Sequence, residues 1–271
     1  MITLIFSYAI QYRDHIFMVN GITDRFFIFF SIVFLLNSNA LSALPSHPKL
    51  QPIFTFTTGV SISQLGSSQS FTPLDLCMYS YEPKRSNSTK MMWGGFIGSN
   101  IRRSSSWEFI AGLGYYQPNT LSVNGSLIQG ADPMSDSTYH YEYQIQSHQL
   151  LAEGKLYWIE QQKLKPFLMI GIGAAYNKVF NFQTNVNPFM EFTPVFSNHT
   201  QSNFSYAVGP GMDIVLSRSF RVGFAYRFSD LGASNTGSSQ IDDIPIPSTL
   251  KQSHLYANQA LIQLTYFPET R

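Results

Sequence analysis

Six charged residues lie in segments in which apolar or aromatic residues recur at every second position, and the charged residues take the positions in between. They are Glu108, Glu153, Lys155, Asp213, Arg221 and Arg227. Carboxylates and cations in such surroundings could pair with one another or line a path for ions. Because charges that leave water need partners, we expect these six to form an ion-paired network, with Gln259 and Gln263 bridging. The alternative is a small, gated ion conductance through the same residues.

The residue types used for hydrolysis and metal binding show no pattern of their own. The histidines at 140, 148, 199 and 254 are scattered over expected loops and strand ends. Ser229, in Arg227-Phe228-Ser229-Asp230, has an arginine where a base would be needed, and arginine cannot deprotonate a hydroxyl. We therefore expect no catalytic residue, no metal site and no cofactor.

Alternating segments must position the charged residues. Between Ile53 and Phe267, apolar and polar residues alternate with period two, which places each set on one face of a strand. The predicted strands are Ile53–Leu65, Lys90–Ile101, Trp107–Gln117, Tyr143–Glu160, Lys165–Phe180, Ser202–Leu216, Phe220–Leu231 and His254–Phe267. Each reaches the roughly ten residues that a tilted membrane-spanning strand needs. One face is large and apolar; the other is small, polar or charged.

The parity of a residue, that is, its odd or even position along a strand, also predicts whether it faces outward or inward. Expected outward residues are Trp93, Ile97, Trp107, Phe109, Leu113, Tyr115, Leu150, Leu156, Trp158, Leu168, Ile170, Ile172, Ile262, Leu264 and Tyr266. Glycines dominate the opposite parity and suit a narrow interior: Gly94, Gly112, Gly114, Gly171, Gly173, Gly209, Gly211 and Gly223. At Pro210, which lacks an amide donor, we expect a bulge or weak pairing.

The connections alternate between short and long. The short ones are Arg102–Ser106, Gln161–Leu164 and Ser217–Ser219, and the long ones are Gly66–Thr89, Pro118–Glu142, Asn181–Gln201 and Gly232–Ser253. This order is typical of an up-and-down barrel with periplasmic turns and four extracellular loops. The stretch Tyr139–Tyr143, at a loop-to-strand boundary, is expected to be either a sticky surface contact or an interfacial aromatic girdle.

Composition narrows the class of protein. The 271 residues are 44% hydrophobic, 15% aromatic and only 12% charged, with mean hydropathy −0.05. A soluble domain carries about a quarter charged residues, and a helical membrane protein shows several apolar runs of about twenty residues. A net charge of +1 argues against nucleic acid as a partner. A soluble β-sandwich or a lipocalin-like carrier remains as an alternative.

The N-terminal region has the composition of a signal peptide. An apolar run of about eleven residues, Phe26–Leu36, follows Arg25 and precedes small residues. A start at Met18 would give a signal peptide of ordinary length. We therefore expect residues 1–43 to be an extension and signal peptide, and residues 44–271 to be an all-β, eight-stranded antiparallel barrel domain.

Four short motifs carry a resemblance to a known family. Gly94-Gly95-Phe96-Ile97-Gly98, Ala111-Gly112-Leu113-Gly114-Tyr115, Gly171-Ile172-Gly173-Ala174-Ala175-Tyr176 and Ala225-Tyr226-Arg227-Phe228-Ser229-Asp230-Leu231-Gly232 resemble strands of opacity-type, OmpA-like eight-stranded outer-membrane proteins. Barrels of this family end on an aromatic residue that the insertion machinery reads. Here Tyr266 and Phe267 are followed by four further residues.

The resemblance implies a cell outer-membrane location in a Gram-negative bacterium and a structural or adhesin-like role. The implied partners are outer-membrane lipid and lipopolysaccharide, the outer-membrane insertion machinery and host surface molecules. Lys84, Arg85 and Lys90, in the first long connection, could contact lipopolysaccharide phosphates or could equally be part of a solvated loop. The competing functions are an outer-membrane enzyme that modifies lipid A and a small ion-conducting pore.

Overall fold

The computed structural model describes residues 51–72, 78–84, 87–130, 137–159, 163–185, 193–241 and 243–268. The expected signal peptide, the start at Met18 and the tail at 269–271 lie outside the described residues. No helix in these ranges is long and apolar enough to cross a membrane.

The described part of the chain is built from β-strands. Numbered β1 to β16 in chain order, they are Pro52–Gln64, Gln69–Phe71, Tyr79–Pro83, Asn87–Arg103, Trp107–Pro118, Leu121–Gln129, Ser137–Trp158, Leu164–Asn185, Val195–Phe196, His199–Val215, Phe220–Asp230, Ser234–Asn235, Ser239–Ile241, Ile244–Ile246, Lys251–Gln252 and Tyr256–Tyr266. Eight of them correspond to the eight strands predicted from parity.

Those eight strands close into a ring. The order is β1, β4, β5, β7, β8, β10, β11 and β16, and each strand is antiparallel to the next. The last strand pairs with the first, from Phe54 opposite Tyr266 to Ser63 opposite Ala257. The prediction of an eight-stranded, antiparallel, up-and-down barrel is confirmed.

The outer wall of the barrel is apolar and exposed. Every residue predicted to face outward is exposed or partly exposed; Leu113 is 61% exposed and Ile170 is 60% exposed. A soluble protein would bury such a continuous apolar surface. Aromatic residues flank the belt: Trp158 and Tyr266 at the end with the short turns, and Tyr115 and Tyr176 at the other end. This is the arrangement of a transmembrane β-barrel of the bacterial outer-membrane kind.

The interior contains larger side chains than the glycine pattern alone suggests. Phe96, Tyr116 and Phe167 each face inward and are at most 2% exposed. The glycines leave space for these rings: a Cβ at Gly94 would lie 2.3 Å from the Tyr116 ring, and one at Gly211 would lie 2.2 Å from the Phe167 ring. Small and large residues therefore complement each other across a filled lumen.

The long connections are not simple loops. β7 and β8 are each 22 residues long and continue past the belt, where β6 pairs with β7, β3 with β6 and β2 with β3. Short strands in the last two long connections form two further small sheets. We call this region, at the end opposite the short turns, the cap. The expectation of four extracellular loops did not include these strands, which are short and form by pairing with other strands of the cap.

Strand register was expected or found to depend on two local features, a bulge in β8 and Pro210 in β10. A bulge in β8, between the positions opposite Glu142 and Gln144, includes Asn181 with φ of +54°. The extra residue changes the parity of the strand, so that Phe182 packs against the core of the cap. At Pro210 the expected alternatives were a bulge or weak pairing. There is no bulge, because Val208 faces Phe228 and Gly211 faces Ala225 in unchanged register, but the ladder to β11 is interrupted at Gly209 and Pro210, as weak pairing predicts.

Candidate functional site

One charged cluster lies inside the barrel near the short turns. Glu108, on β5, is 2% exposed and accepts a hydrogen bond from Asn100 Nδ2 at 2.5 Å. Its Oε2 lies 3.5 Å from Arg221 Nη2 and 3.8 Å from Lys165 Nζ. One carboxylate from β5 thus contacts two cations, from β11 and β8. Lys165 is not among the charged residues singled out from the sequence, although its position in β8 faces the interior.

Asp213 belongs to the same end of the barrel. It is fully buried, and its Oδ2 accepts a hydrogen bond from the Tyr157 hydroxyl at 3.0 Å. The Arg221 guanidinium lies over two rings, 5.6 Å from the centre of Tyr157 and 4.0 Å from that of Phe267. Aromatic faces therefore share with Glu108 the stabilisation of this buried cation.

A second set of polar residues lies deeper in the lumen. Lys155 Nζ donates to Gln263 Oε1 at 3.1 Å and lies 3.8 Å from Glu153 Oε1. The Tyr116 hydroxyl donates to Glu153 Oε2 at 2.7 Å. Because these groups are buried and mutually bonded, they fix side chains across the lumen.

Arg227 completes this set. It is fully buried, its Nε donates to Gln259 Oε1 at 2.6 Å, and its guanidinium lies 3.5 Å from the centre of the Tyr116 ring. All six charged residues singled out in the sequence thus lie in the interior, within reach of opposite charges, glutamines or aromatic rings. The tyrosine partners were not recognised from sequence, because parity says which face a residue is on but not what faces it.

The cap has a hydrophobic core of its own. Aromatic rings from four strands meet there: Tyr81 and Tyr141 have ring centres 5.2 Å apart, and Phe182 and Phe196 have ring centres 4.8 Å apart. Burial raises the pKa of Tyr81 and Tyr141 well above the ordinary value, and that of Tyr143 to about 12. The cap is therefore a packed, ordered unit.

Both expectations for the Tyr139–Tyr143 stretch were wrong. The rings of Tyr139, Tyr141 and Tyr143 are buried in the core of the cap, so they form neither a sticky surface nor an interfacial girdle. His140 and Glu142, between them, are exposed. The period-two pattern continues past the membrane belt, and here its apolar face points into the cap.

The exposed side of this sheet forms a polar groove with a volume of about 880 Å³. Register places Glu82, Ser126, His140 and Asn185 in one row across β3, β6, β7 and β8. Asn124, Glu142 and Gln183 form the next row, beside Lys84. We call this feature the cap groove.

One histidine lies beside a buried carboxylate at the rim of the barrel. Asp230 Oδ2 is 2.8 Å from His254 Nδ1, and Asp230 Oδ1 accepts a hydrogen bond from the Gly232 amide at 2.8 Å. The His254 side chain is 54% exposed and stacks on Tyr256. Ser229 points into the barrel instead, 3.4 Å from Gln259 Oε1. Among the residues that the structure describes, no three His, Cys, Asp or Glu side chains are placed to hold a metal ion.

No protein-family model and no curated protein sequence matches the chain. Solved outer-membrane structures are similar to it in fold. OprG from Pseudomonas aeruginosa is 11% identical with a TM-score of 0.47, covering 81% of this chain and 98% of its own. The outer-membrane protease OmpT from Escherichia coli is 7% identical with a TM-score of 0.47, covering 84% and 99%. Ail, the attachment invasion locus protein of Yersinia pestis, is 10% identical with a TM-score of 0.34, covering 80% and 99%.

These similarities concern the fold. The expected eight-stranded antiparallel barrel is confirmed by the strand order and by the pairing of the last strand with the first.

Proposed function

We propose that the protein is a non-enzymatic surface protein of the bacterial outer membrane, in which the barrel is an anchor and the cap makes contacts outside the cell. The observation that carries this proposal is the division between the two parts. The barrel interior is filled and its outer wall faces lipid, whereas the cap presents an ordered polar surface beyond the belt.

The filled lumen favours an anchor over a pore. Phe96, Tyr116 and Phe167 occupy the interior together with the paired charges. Purified protein in a planar lipid bilayer should give no discrete conductance steps, whereas the double variant Phe96→Ala/Phe167→Ala should give small ones. Steps of equal size for both proteins would support the pore instead.

Attachment tests the role of the cap. The full chain is displayed on a non-adherent laboratory bacterium, and binding to epithelial monolayers and to abiotic surfaces is counted against cells with an empty vector. We expect increased attachment that is lost when protease trims the cap while the barrel keeps its heat-modifiable gel mobility. Attachment equal to that of the empty vector would reject the proposal.

A hydrolytic site on envelope lipid is the second candidate, favoured by the Asp230–His254 pair alone. A buried carboxylate that holds Nδ1 leaves Nε2 of an exposed histidine free to act as a general base. Mass spectrometry of lipid A from cells with the native protein and with His254→Gln distinguishes the two candidates. Identical acyl patterns are expected for a surface protein, and a change that depends on His254 would establish the enzyme.

A further inference from the structure

We infer that the cap groove binds an uncharged, hydroxyl-rich oligosaccharide. This inference rests on the proposed function, since it names a ligand class for the cap. The groove lies beyond the lipid belt, on the side of the cap sheet that faces away from its aromatic core.

The groove has the size and regularity to hold several sugar rings. Its volume of about 880 Å³ lies toward the upper end of the range for small-ligand sites. Its floor is four neighbouring strands, so polar side chains recur about 4.8 Å apart across the strands and about 6.6 Å apart along them. Such a lattice presents several hydrogen-bonding groups at regular intervals to a ligand that lies along the groove.

The floor of the groove is held rigid from behind. On β3 and β7 the residues that alternate with the groove side chains are buried, among them Tyr81 and Tyr141. Val123 of β6 is buried in the same core, and the partly buried Phe182 of β8 packs against it. A ligand would therefore meet preformed strand positions rather than a mobile loop, which lowers the cost of ordering on binding.

The groove side chains are available for a ligand. Within the described ranges, Glu82, Asn124, His140, Glu142 and Gln183 donate and accept no hydrogen bond through their side chains and form no ion pair. All five are exposed. Their polar groups are therefore free to exchange water for hydroxyls.

The chemistry of the lining selects the ligand class. The amides of Asn124 and Gln183 can both donate and accept, as paired sugar hydroxyls require, and the Glu82 and Glu142 carboxylates can accept from two hydroxyls each. Two carboxylates against the single cation of Lys84 disfavour a sulfated or phosphorylated chain. An apolar ligand would leave the polar lining unsatisfied.

The test uses the full chain in lipid nanodiscs on an array of oligosaccharides, with empty nanodiscs as the blank. Neutral oligosaccharides should bind, whereas sulfated and sialylated ones should not. Two arms distinguish the source of the ligand: polysaccharide purified from the producing bacterium, and neutral mammalian glycans. Binding in either arm supports the inference and identifies the source.

Two glutamine variants show whether the groove is the site. Gln183→Ala removes an amide from the groove, and Gln240→Ala removes another exposed amide from β13, which does not line the groove. We expect about a tenfold rise in Kd for Gln183→Ala, corresponding to one lost hydrogen-bonding group, and no change for Gln240→Ala.

Three results would overturn the inference: no neutral oligosaccharide bound above the blank, binding confined to sulfated chains, or equal Kd values for the two variants. The attachment assay keeps this separate from the proposed function. Attachment without glycan binding would reject the groove as a glycan site and retain the surface role. Glycan binding without attachment would retain the groove as a glycan site and reject the proposed role in attachment.

Discussion

Removing the charge of Glu108 should destabilise the barrel more than removing the charge of an exposed carboxylate. Glu108→Gln keeps the shape of the side chain but removes the negative charge that lies 3.5 Å from Arg221 and 3.8 Å from Lys165. With an effective dielectric constant of about 20, each attraction is about 4.5 kcal/mol before desolvation is counted. Because both cations stay buried after the substitution, we expect the free energy of unfolding to fall by about 3–5 kcal/mol.

Equilibrium urea unfolding in lipid vesicles measures this change, with gel mobility as an independent report of folding. Glu82→Gln is the matched control; since Glu82 is exposed in the cap, it should change stability by no more than about 0.5 kcal/mol. Combining Glu108→Gln with Arg221→Met should give a coupling energy of about 1–3 kcal/mol. A loss below about 1 kcal/mol for Glu108→Gln, or a coupling energy near zero, would refute the reasoning.

Three further predictions concern the interior, the lipid face and the cap. Gly94→Ala would place its new Cβ 2.3 Å from a neighbouring ring, so it should lower the free energy of unfolding in urea by about 1–3 kcal/mol. Gly154→Ala, whose nearest ring atom is 3.1 Å from the new Cβ, should lower it clearly less. Equal losses would contradict the packing described for the lumen. Ile170→Arg, in the middle of the belt, should lower the free energy of unfolding by about 2–4 kcal/mol, and Leu216→Arg, at the edge of the belt, by at most about 1 kcal/mol. The same loss at both depths would argue against a membrane belt. Burial raises the pKa of Tyr143 to about 12, so its contribution to the stability of the cap should be fully present below pH 10 and be lost as pH rises toward 12. Protease sensitivity of the cap, followed together with tyrosinate absorbance, measures this change. A cap that opens on acidification instead would contradict the prediction.

The sequence predicted the barrel because one physical constraint acts on every strand. Lipid on one side and a narrow interior on the other force apolar and small or polar residues to alternate, and the eight strands and their order follow from that alternation and the connection lengths. It also placed residues such as Asp213 and Arg227 inside, since parity alone decides this.

The sequence could not predict the cap. Leu121–Gln129 is a strand because it pairs with β7, and Gln69–Phe71 is one because it pairs with β3. The three-residue β2 and the Gly-containing β6 carry little strand signal of their own. They are strands because they pair with their hairpin partners and because β6 also pairs with β3, about forty residues earlier in the chain. The cap groove depends on these pairings and was therefore invisible in the sequence.

The sequence by itself determined the number of barrel strands, the two faces of each strand and the presence of charge in the barrel interior. Only the tertiary structure decided which groups meet: closure of the ring brings Glu108 of β5 to Lys165 of β8 and Arg221 of β11, and extension of β7 and β8 creates the cap. The reason is that alternation along a strand is a local property, whereas contacts across a lumen or between strands depend on register and closure, which involve the whole chain at once.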